Sequence, residues 1–212
     1  MKLITFDWDH TLWDSWPVHV SGVQHAARTI GLRPPLEAAI ASGYYSAPFD
    51  QHMEMIFAEA TQRAMPHYLD FYDQNVHRLA GLFDQVPEAL ETLTARGYLL
   101  AILSDKAEPY GSTELSRSGI SHLFAGALFL KDGRPNKPDP EGLHQVMDLL
   151  DVDPADVLYI GDSQVDIQCA RRAGASGGAA LWGSLNHIRL LKEAPDYAFG
   201  SITELLTELP AR

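Results

Sequence analysis

The feature that most constrains this chain is an alternation of two patterns. Short apolar runs at residues 2–6, 98–103, 126–130, 157–160 and 179–182 are separated by stretches with helical periodicity. Each run is four to six residues long, and most do not alternate polar with apolar. That is the pattern of strands covered on both faces. Of the intervening stretches, 87–96 carries Ala89, Leu90 and Leu93 on one face with Gly97 just beyond, a helix with its stop signal. Stretch 139–150 sets Leu143, Val146, Met147 and Leu150 at helical spacing, and 164–173 and 202–209 continue the series. Strands alternating with helices predict an α/β fold, a doubly wound and mainly parallel sheet with helices on both faces.

One long stretch interrupts this order. Residues 15–84 offer no convincing strand but four helical segments, at 18–30, 35–41, 50–63 and 66–82. Their composition differs too, with no lysine, four arginines, five histidines and a run of aromatics that includes Tyr44, Tyr45, Phe49, Phe57 and Phe71. A chain of 212 residues suits one large domain or a smaller one carrying an insertion. The spacing predicts the second: a sheet domain from 1–14 and 85–212, and an inserted helical subdomain from 15–84.

Charge narrows the partners. Sixteen Lys and Arg against 28 Asp and Glu give a net charge of -12, and the densest basic cluster is the pair Arg171 and Arg172. Such a surface repels phosphate backbones and anionic lipid, so neither nucleic acid nor a membrane surface is an expected partner. Cys169 is the only cysteine, which excludes an intrachain disulfide and a multi-thiolate metal site; a small buried thiol is expected there. The apolar start runs directly into Asp7, Asp9 and Asp14, unlike a signal peptide. No apolar run approaches the length of a membrane span, and a cytoplasmic location is expected.

The acids fall at strand ends. Asp7 and Asp9 stand two apart at the end of the first strand, where extended backbone turns alternate side chains toward one point. In an open parallel sheet, ligands bind beyond the carboxyl ends of the strands. The second run ends in Ser104, Asp105 and Lys106, the third is followed by Lys137, and the fourth ends in Gly161 and Asp162 with Asp166 on the next turn. So many carboxylates need cations to offset them. Magnesium and lysine suit that task, since magnesium takes few carboxylates, keeps water and binds phosphate oxygens. Taken singly, Asp9 and Thr11 could cap a turn, Ser163 and Asp166 fit a capping box, and Lys106 or Lys137 could be solvated surface cations. Four polar signals in chain order, each following a strand, favour a common site.

These residues resemble the haloacid dehalogenase-like hydrolase superfamily. Asp7-Trp8-Asp9-His10-Thr11 is similar to its first motif, Ser104 to the second, Lys137 in Asn136-Lys137-Pro138-Asp139 to the third, and Gly161-Asp162-Ser163-Gln164-Val165-Asp166 to the fourth. The resemblance covers roughly 1–14 and 85–205, a Rossmann-like core, and the insert sits where subclass I carries a helical cap. Leu12, Asp14, Ser15 and Asn136-Lys137-Pro138 are similar to phosphoglycolate phosphatase-like members. Position 10, usually glycine in the subclass, is histidine here, with Trp8 and Trp13 flanking the motif.

The resemblance implies a Mg2+-dependent phosphatase acting on a small phosphorylated metabolite through an aspartyl-phosphate. Asp7 would be the nucleophile, and Asp9 would protonate the leaving alkoxide and then activate water. Asp7, the main chain of Asp9 and Asp162 would hold magnesium. Asp166 would either join them or orient Lys137. Thr11, Ser104, Asp105 and Lys137 would bind phosphate. Metal contact is expected to keep Asp7 ionised, and Asp9 to hold its proton through a raised pKa.

Within the superfamily, a dehalogenase expels halide and needs neither Asp9 nor Asp162, and a phosphonoacetaldehyde hydrolase needs a cap lysine that the insert lacks. A β-phosphoglucomutase-like phosphomutase shares all four motifs and stays as the alternative. A non-catalytic magnesium- or phosphate-binding regulator is less compatible with intact Asp7 and Asp9. Arg28, Arg33, Tyr44, Tyr45 and the histidines of the insert are candidate substrate contacts, although helical packing accounts for most of them. The chain is expected to act as a monomer or homodimer.

Overall fold

A computed structural model of the chain describes residues 1–45, 47–131 and 133–211. These divide into a sheet unit, Met1–Trp13 with Leu82–Arg212, and a helical unit, Asp14–Gly81.

The sheet unit is built on six parallel strands: β1 (Leu3–Phe6), β4 (Leu99–Ala107), β5 (Gly126–Leu130), β6 (Val157–Gly161), β7 (Ser176–Ala180) and β8 (Tyr197–Phe199). Their spatial order is β5-β4-β1-β6-β7-β8. This is the expected α/β architecture. Strand β1 is buried throughout and lies at the centre, with β4 and β5 to one side and β6, β7 and β8 to the other. The strand order therefore reverses at β1, the position that opens a ligand crevice in such sheets. Register completes the placement: Phe6 pairs with Ile102 and with Ile160. The residues just beyond, Asp7, Leu103-Ser104 and Gly161-Asp162, thus leave the sheet side by side.

Helices α7 (Glu141–Leu150) and α8 (Gln164–Arg172) supply Leu143, Val146, Met147, Cys169 and Ala170 to a core shared with Leu3, Leu103, Val157 and Tyr159. Cys169 is buried, and burial pushes its thiol up to about 12, which suits a packing role.

Several elements of the sheet unit differ from the sequence expectation. Strand β7 begins at Ser176, three residues before the apolar run at 179, because Gly177 and Gly178 belong to it. A Cβ on Gly177 would stand 3.4 Å from Ile167, and one on Gly178 would stand 3.1 Å from Ile160; close packing holds this strand where propensity would not. Strand β8 and helix α6 (Glu108–Arg117) were not foreseen. The first has three residues, and the second is rich in Gly, Ser and Thr, which blur a helical signal. Strand β4 runs on through Ser104, Asp105 and Lys106.

The chain leaves and re-enters the sheet unit through two short strands that pair with each other, β2 (Trp13–Asp14) and β3 (Gly81–Leu82). Helix α5 (Val86–Ala95) follows, and α9 (His187–Leu191) and α10 (Leu205–Glu208) complete the sheet unit.

The helical unit holds α1 (Trp16–Thr29), α2 (Glu37–Tyr44), α3 (Phe49–Phe57) and α4 (Thr61–Leu79). The expected 50–63 helix is broken at Ala58, whose φ of 47° is left-handed. The expected start at Pro66 is also corrected: α4 begins five residues earlier and carries Pro66 inside it. Its buried stripe of Ala64, Tyr68, Tyr72 and Val76 runs across the proline, so tertiary burial outweighs the lost hydrogen bond. Of the candidate histidines, His19 and His52 are buried; His19 Nδ1 lies 3.0 Å from the Tyr68 hydroxyl, and the two Nε2 atoms are 3.4 Å apart. Tyr44 packs edge-on against Trp16 and His19. No described helix is long and apolar enough to cross a membrane.

Candidate active site

The centre of the site is the Lys137 ammonium, which lies 2.8 Å from Asp7 Oδ2 and 2.6 Å from Asp166 Oδ1. Asp7 arrives at the end of β1, and its N–H donates to Ile160 O on the neighbouring strand at 2.9 Å. Lys137 comes from the connection between β5 and α7, and its own N–H donates to Asp105 Oδ2 at 2.8 Å. Asp166 sits in the first turn of α8, where the Ser163 N–H and hydroxyl both donate to its Oδ2, at 3.0 and 2.6 Å. The capping role and the site role are therefore one residue's two oxygens: Oδ2 caps the helix while Oδ1 holds Lys137. Asp162, also buried, accepts from the Thr11 hydroxyl at 3.1 Å.

One oxygen each of Asp7, Asp162 and Asp166 lies within 4.8 Å of the others, the one such acidic cluster among the described residues. Burial raises the Asp7 carboxyl to about 7; the Lys137 charge opposes this, Asp166 adds to it, and hydrogen bonds from Lys137 and Ser104 pull it back. Burial also disfavours the Lys137 ammonium, but Asp166 and Asp7 outweigh it and carry its pKa well above the usual lysine range. Two buried carboxylates around one lysine, with a third adjacent, form an oxygen-only donor set that suits a hard divalent cation.

The first-motif residues turn sharply instead of extending. Thr11, Leu12 and Trp13 all direct their N–H groups to Trp8 O, at 3.3, 3.0 and 2.9 Å. Asp7 and Asp9 consequently do not converge as extended backbone would have them do: Asp7 meets Lys137, whereas Asp9 Oδ1 meets Lys106 Nζ at 2.8 Å. The acidic cluster does not include the Asp9 carboxylate.

His10 stands in this turn with a left-handed φ of 59°, at a cost of about 1 kcal/mol for a residue with a Cβ. The turn is braced from behind. The Trp182 indole donates to Thr11 O at 2.9 Å, and a Cβ on Gly183 would stand 1.6 Å from His10 O, so only glycine fits there. The His10 ring is buried, which lowers its pKa to about 4.

Two expected phosphate contacts are otherwise engaged. The Thr11 hydroxyl is turned to Asp162, and Asp105, an acceptor only, anchors the Lys137 main chain. Burial raises the Asp105 carboxyl, with Lys137 and Arg134 opposing. Ser104 is buried within β4 and accepts from the Lys106 N–H at 3.3 Å. Arg134, Tyr159 and Glu114 escaped notice in the sequence. Arg134 donates to Ser104 O at 2.7 Å, and the Tyr159 hydroxyl lies 2.9 Å from Leu103 O and 3.2 Å from Asp166 Oδ1. A polar residue inside the apolar run 157–160 was the available signal for Tyr159; Glu114 stands on the unforeseen helix α6.

Known proteins are similar to this chain. The chain is 30% identical to a phosphoglycolate phosphatase of Aliivibrio fischeri, over 99% of this chain and 96% of that one. It is 28% identical to a phosphoglycolate phosphatase of Vibrio vulnificus, with 97% and 95% covered. A solved structure described as a predicted phosphoglycolate phosphatase from Haemophilus somnus superposes with a TM-score of 0.90 at 25% identity, covering 99% of this chain and 98% of that one. Residues 4–180 match the family described as haloacid dehalogenase-like hydrolase. With the strand order, the Lys137-centred carboxylates and this match in agreement, the chain belongs to the haloacid dehalogenase-like hydrolase family.

Proposed function

We propose that the chain is a magnesium-dependent phosphatase that hydrolyses a small phosphorylated metabolite through an aspartyl-phosphate. The observation that carries this reading is the buried Lys137 ammonium between Asp7 and Asp166 at the end of the central strand. A fixed cation beside a carboxylate, in the crevice of a parallel sheet, suits a reaction whose catalysis is mostly positioning and charge stabilisation.

Asp7, the main-chain carbonyl of Asp9 and Asp162 would hold the metal. Asp166 is fully buried, with Oδ1 on Lys137 and Oδ2 on Ser163, and we assign it to holding Lys137. When bound, the ion neutralises charge on the transferring phosphoryl group.

An Asp7 carboxylate oxygen attacks phosphorus, the ester P–O bond breaks, and Asp9 gives its proton to the departing oxygen. Asp9, now a carboxylate paired with Lys106, takes a proton from water as that water attacks the acyl phosphate. The bond to Asp7 breaks, and inorganic phosphate leaves. The Ser104 hydroxyl and the Lys137 ammonium bind the phosphoryl oxygens throughout. Residues 15–84 are assigned as the cap that selects the ester. The proposal includes a cytoplasmic location, motivated by the single buried cysteine, and excludes a nucleic-acid partner on the net charge of -12.

A phosphomutase would use the same groups, and no contact described above favours it over hydrolysis. The test is phosphate release from phosphoglycolate, sugar phosphates and nucleotides, with magnesium, with chelator and in Asp7→Asn. Activity that survives chelation or the substitution overturns the mechanism, and faster transfer to a sugar than to water points to the mutase.

A further inference from the structure

A second buried charge network stands behind Asp9. Lys106 Nζ lies 2.8 Å from Asp9 Oδ1 and 2.9 Å from Glu114 Oε2, and the Trp8 indole N–H donates to that same Oε2 at 2.8 Å. Glu114 is 2% exposed, whereas the Asp9 side chain is 23% exposed. The Trp8 ring is fully buried, stacked on Trp13 at 5.5 Å and edge-on to Phe129. Helix α6 brings Glu114 in through a glycine one turn earlier: a Cβ on Gly111 would stand 2.1 Å from the Phe129 ring. A continuous chain of contacts thus runs from a packed aromatic cluster to one oxygen of Asp9.

Burying a second carboxylate is costly, and a lone Lys106–Asp9 pair does not require it. What Glu114 adds is geometric. Lysine is a long, flexible stem with a rotatable ammonium, and a second fixed acceptor pins that ammonium in place. We propose that Glu114 and Lys106 are positioning residues that hold the Asp9 carboxyl where it exchanges a proton first with the ester oxygen and then with water. This rests on the phosphatase reading above.

The test compares kcat/KM, which reports on steps through leaving-group departure, for an alkyl phosphate and for an aryl phosphate with an acidic phenol, both with magnesium. The alkoxide needs a proton from Asp9; the phenolate does not. Glu114→Gln should lower kcat/KM for the alkyl ester by about 10- to 100-fold, the scale of misplacing a catalytic group, and leave the aryl ester within about threefold. In an Asp9→Asn background, Glu114→Gln should add nothing, because groups acting as one unit are not additive. Lys106→Met and Trp8→Phe make the same comparison if Glu114→Gln does not fold. Equal losses on both esters, or a further loss in Asp9→Asn, overturn the positioning role while the phosphatase reading stands. A wild-type protein inactive on both esters overturns the reading and this inference together.

Discussion

Gly161 and Asp166 occupy one another's space: a Cβ on Gly161 would stand 2.2 Å from the Asp166 carboxyl carbon. The end of β6 must therefore lack a side chain for the first turn of α8 to fold back and present Asp166 to Lys137. The glycine before Asp162 is a steric requirement of the site.

Gly161→Ala should accordingly displace Asp166 and, through it, Lys137. Destabilisation of about 1–3 kcal/mol is expected from overpacking, with loss of phosphatase activity beyond what the unfolded fraction explains. Urea unfolding alongside steady-state kinetics checks both; full activity in a stable variant would contradict the steric account.

Lys137→Met leaves Asp7 and Asp166 facing each other without their shared cation. In chelator the protein should lose about 3–5 kcal/mol, the scale of breaking a buried pair. Magnesium should restore more stability to the variant than to the wild type, because a ligand bound only by the folded state stabilises it. Melting temperatures with and without magnesium measure the difference.

Asp7→Asn should reduce turnover by several orders of magnitude, the scale of removing the proposed nucleophile. Since burial raises this carboxyl to about 7, its charged form strains the metal-free fold at pH 8. The melting temperature in chelator at pH 8 is therefore expected not to fall, and a large fall would show that the Asp7–Lys137 pair is net stabilising.

His10 titrates near 4 when folded, against 6.5 in its ordinary state. Between those values the unfolded chain binds a proton that the folded chain excludes, so stability falls as pH drops from about 6.5 toward 4. The full effect is about 3 kcal/mol. Asp7 acts with the opposite sign, since its folded form binds the extra proton below about 7. The informative quantity is thus the difference between wild type and His10→Asn, a residue that tolerates the left-handed turn. Urea unfolding from pH 7.5 to 4.5 should show a flatter acid limb in the variant.

Legibility in the sequence followed burial. Strands β1 and β6 and helices α7 and α8 are buried on faces wide enough to impose a period, and all four could be read. Helix α6 and strand β8 carry weak or short patterns. The extra length of β7 and the course of α4 through Pro66 depend on neighbours that propensity does not see. In the site, Asp7 and Asp162 stand just beyond β1 and β6, where alternation already points, whereas Ser104 lies inside β4 and Lys137 in the connection after β5. Glu114 and Arg134 lie on a helix and a connection whose approach depends on packing at Gly111 and at the end of β4.

The sequence by itself determined the parallel α/β order and the set of polar residues at its carboxyl edge, because strand and helix periods are local and register follows from them. Only the tertiary structure decided which partner each acid takes. Asp7 and Asp9 are two residues apart, yet one pairs with Lys137 and the other with Lys106, because the turn after β1 closes on Trp8 O and separates them. Charge pairing depends on distances of a few ångströms between remote segments, and those distances are set by packing.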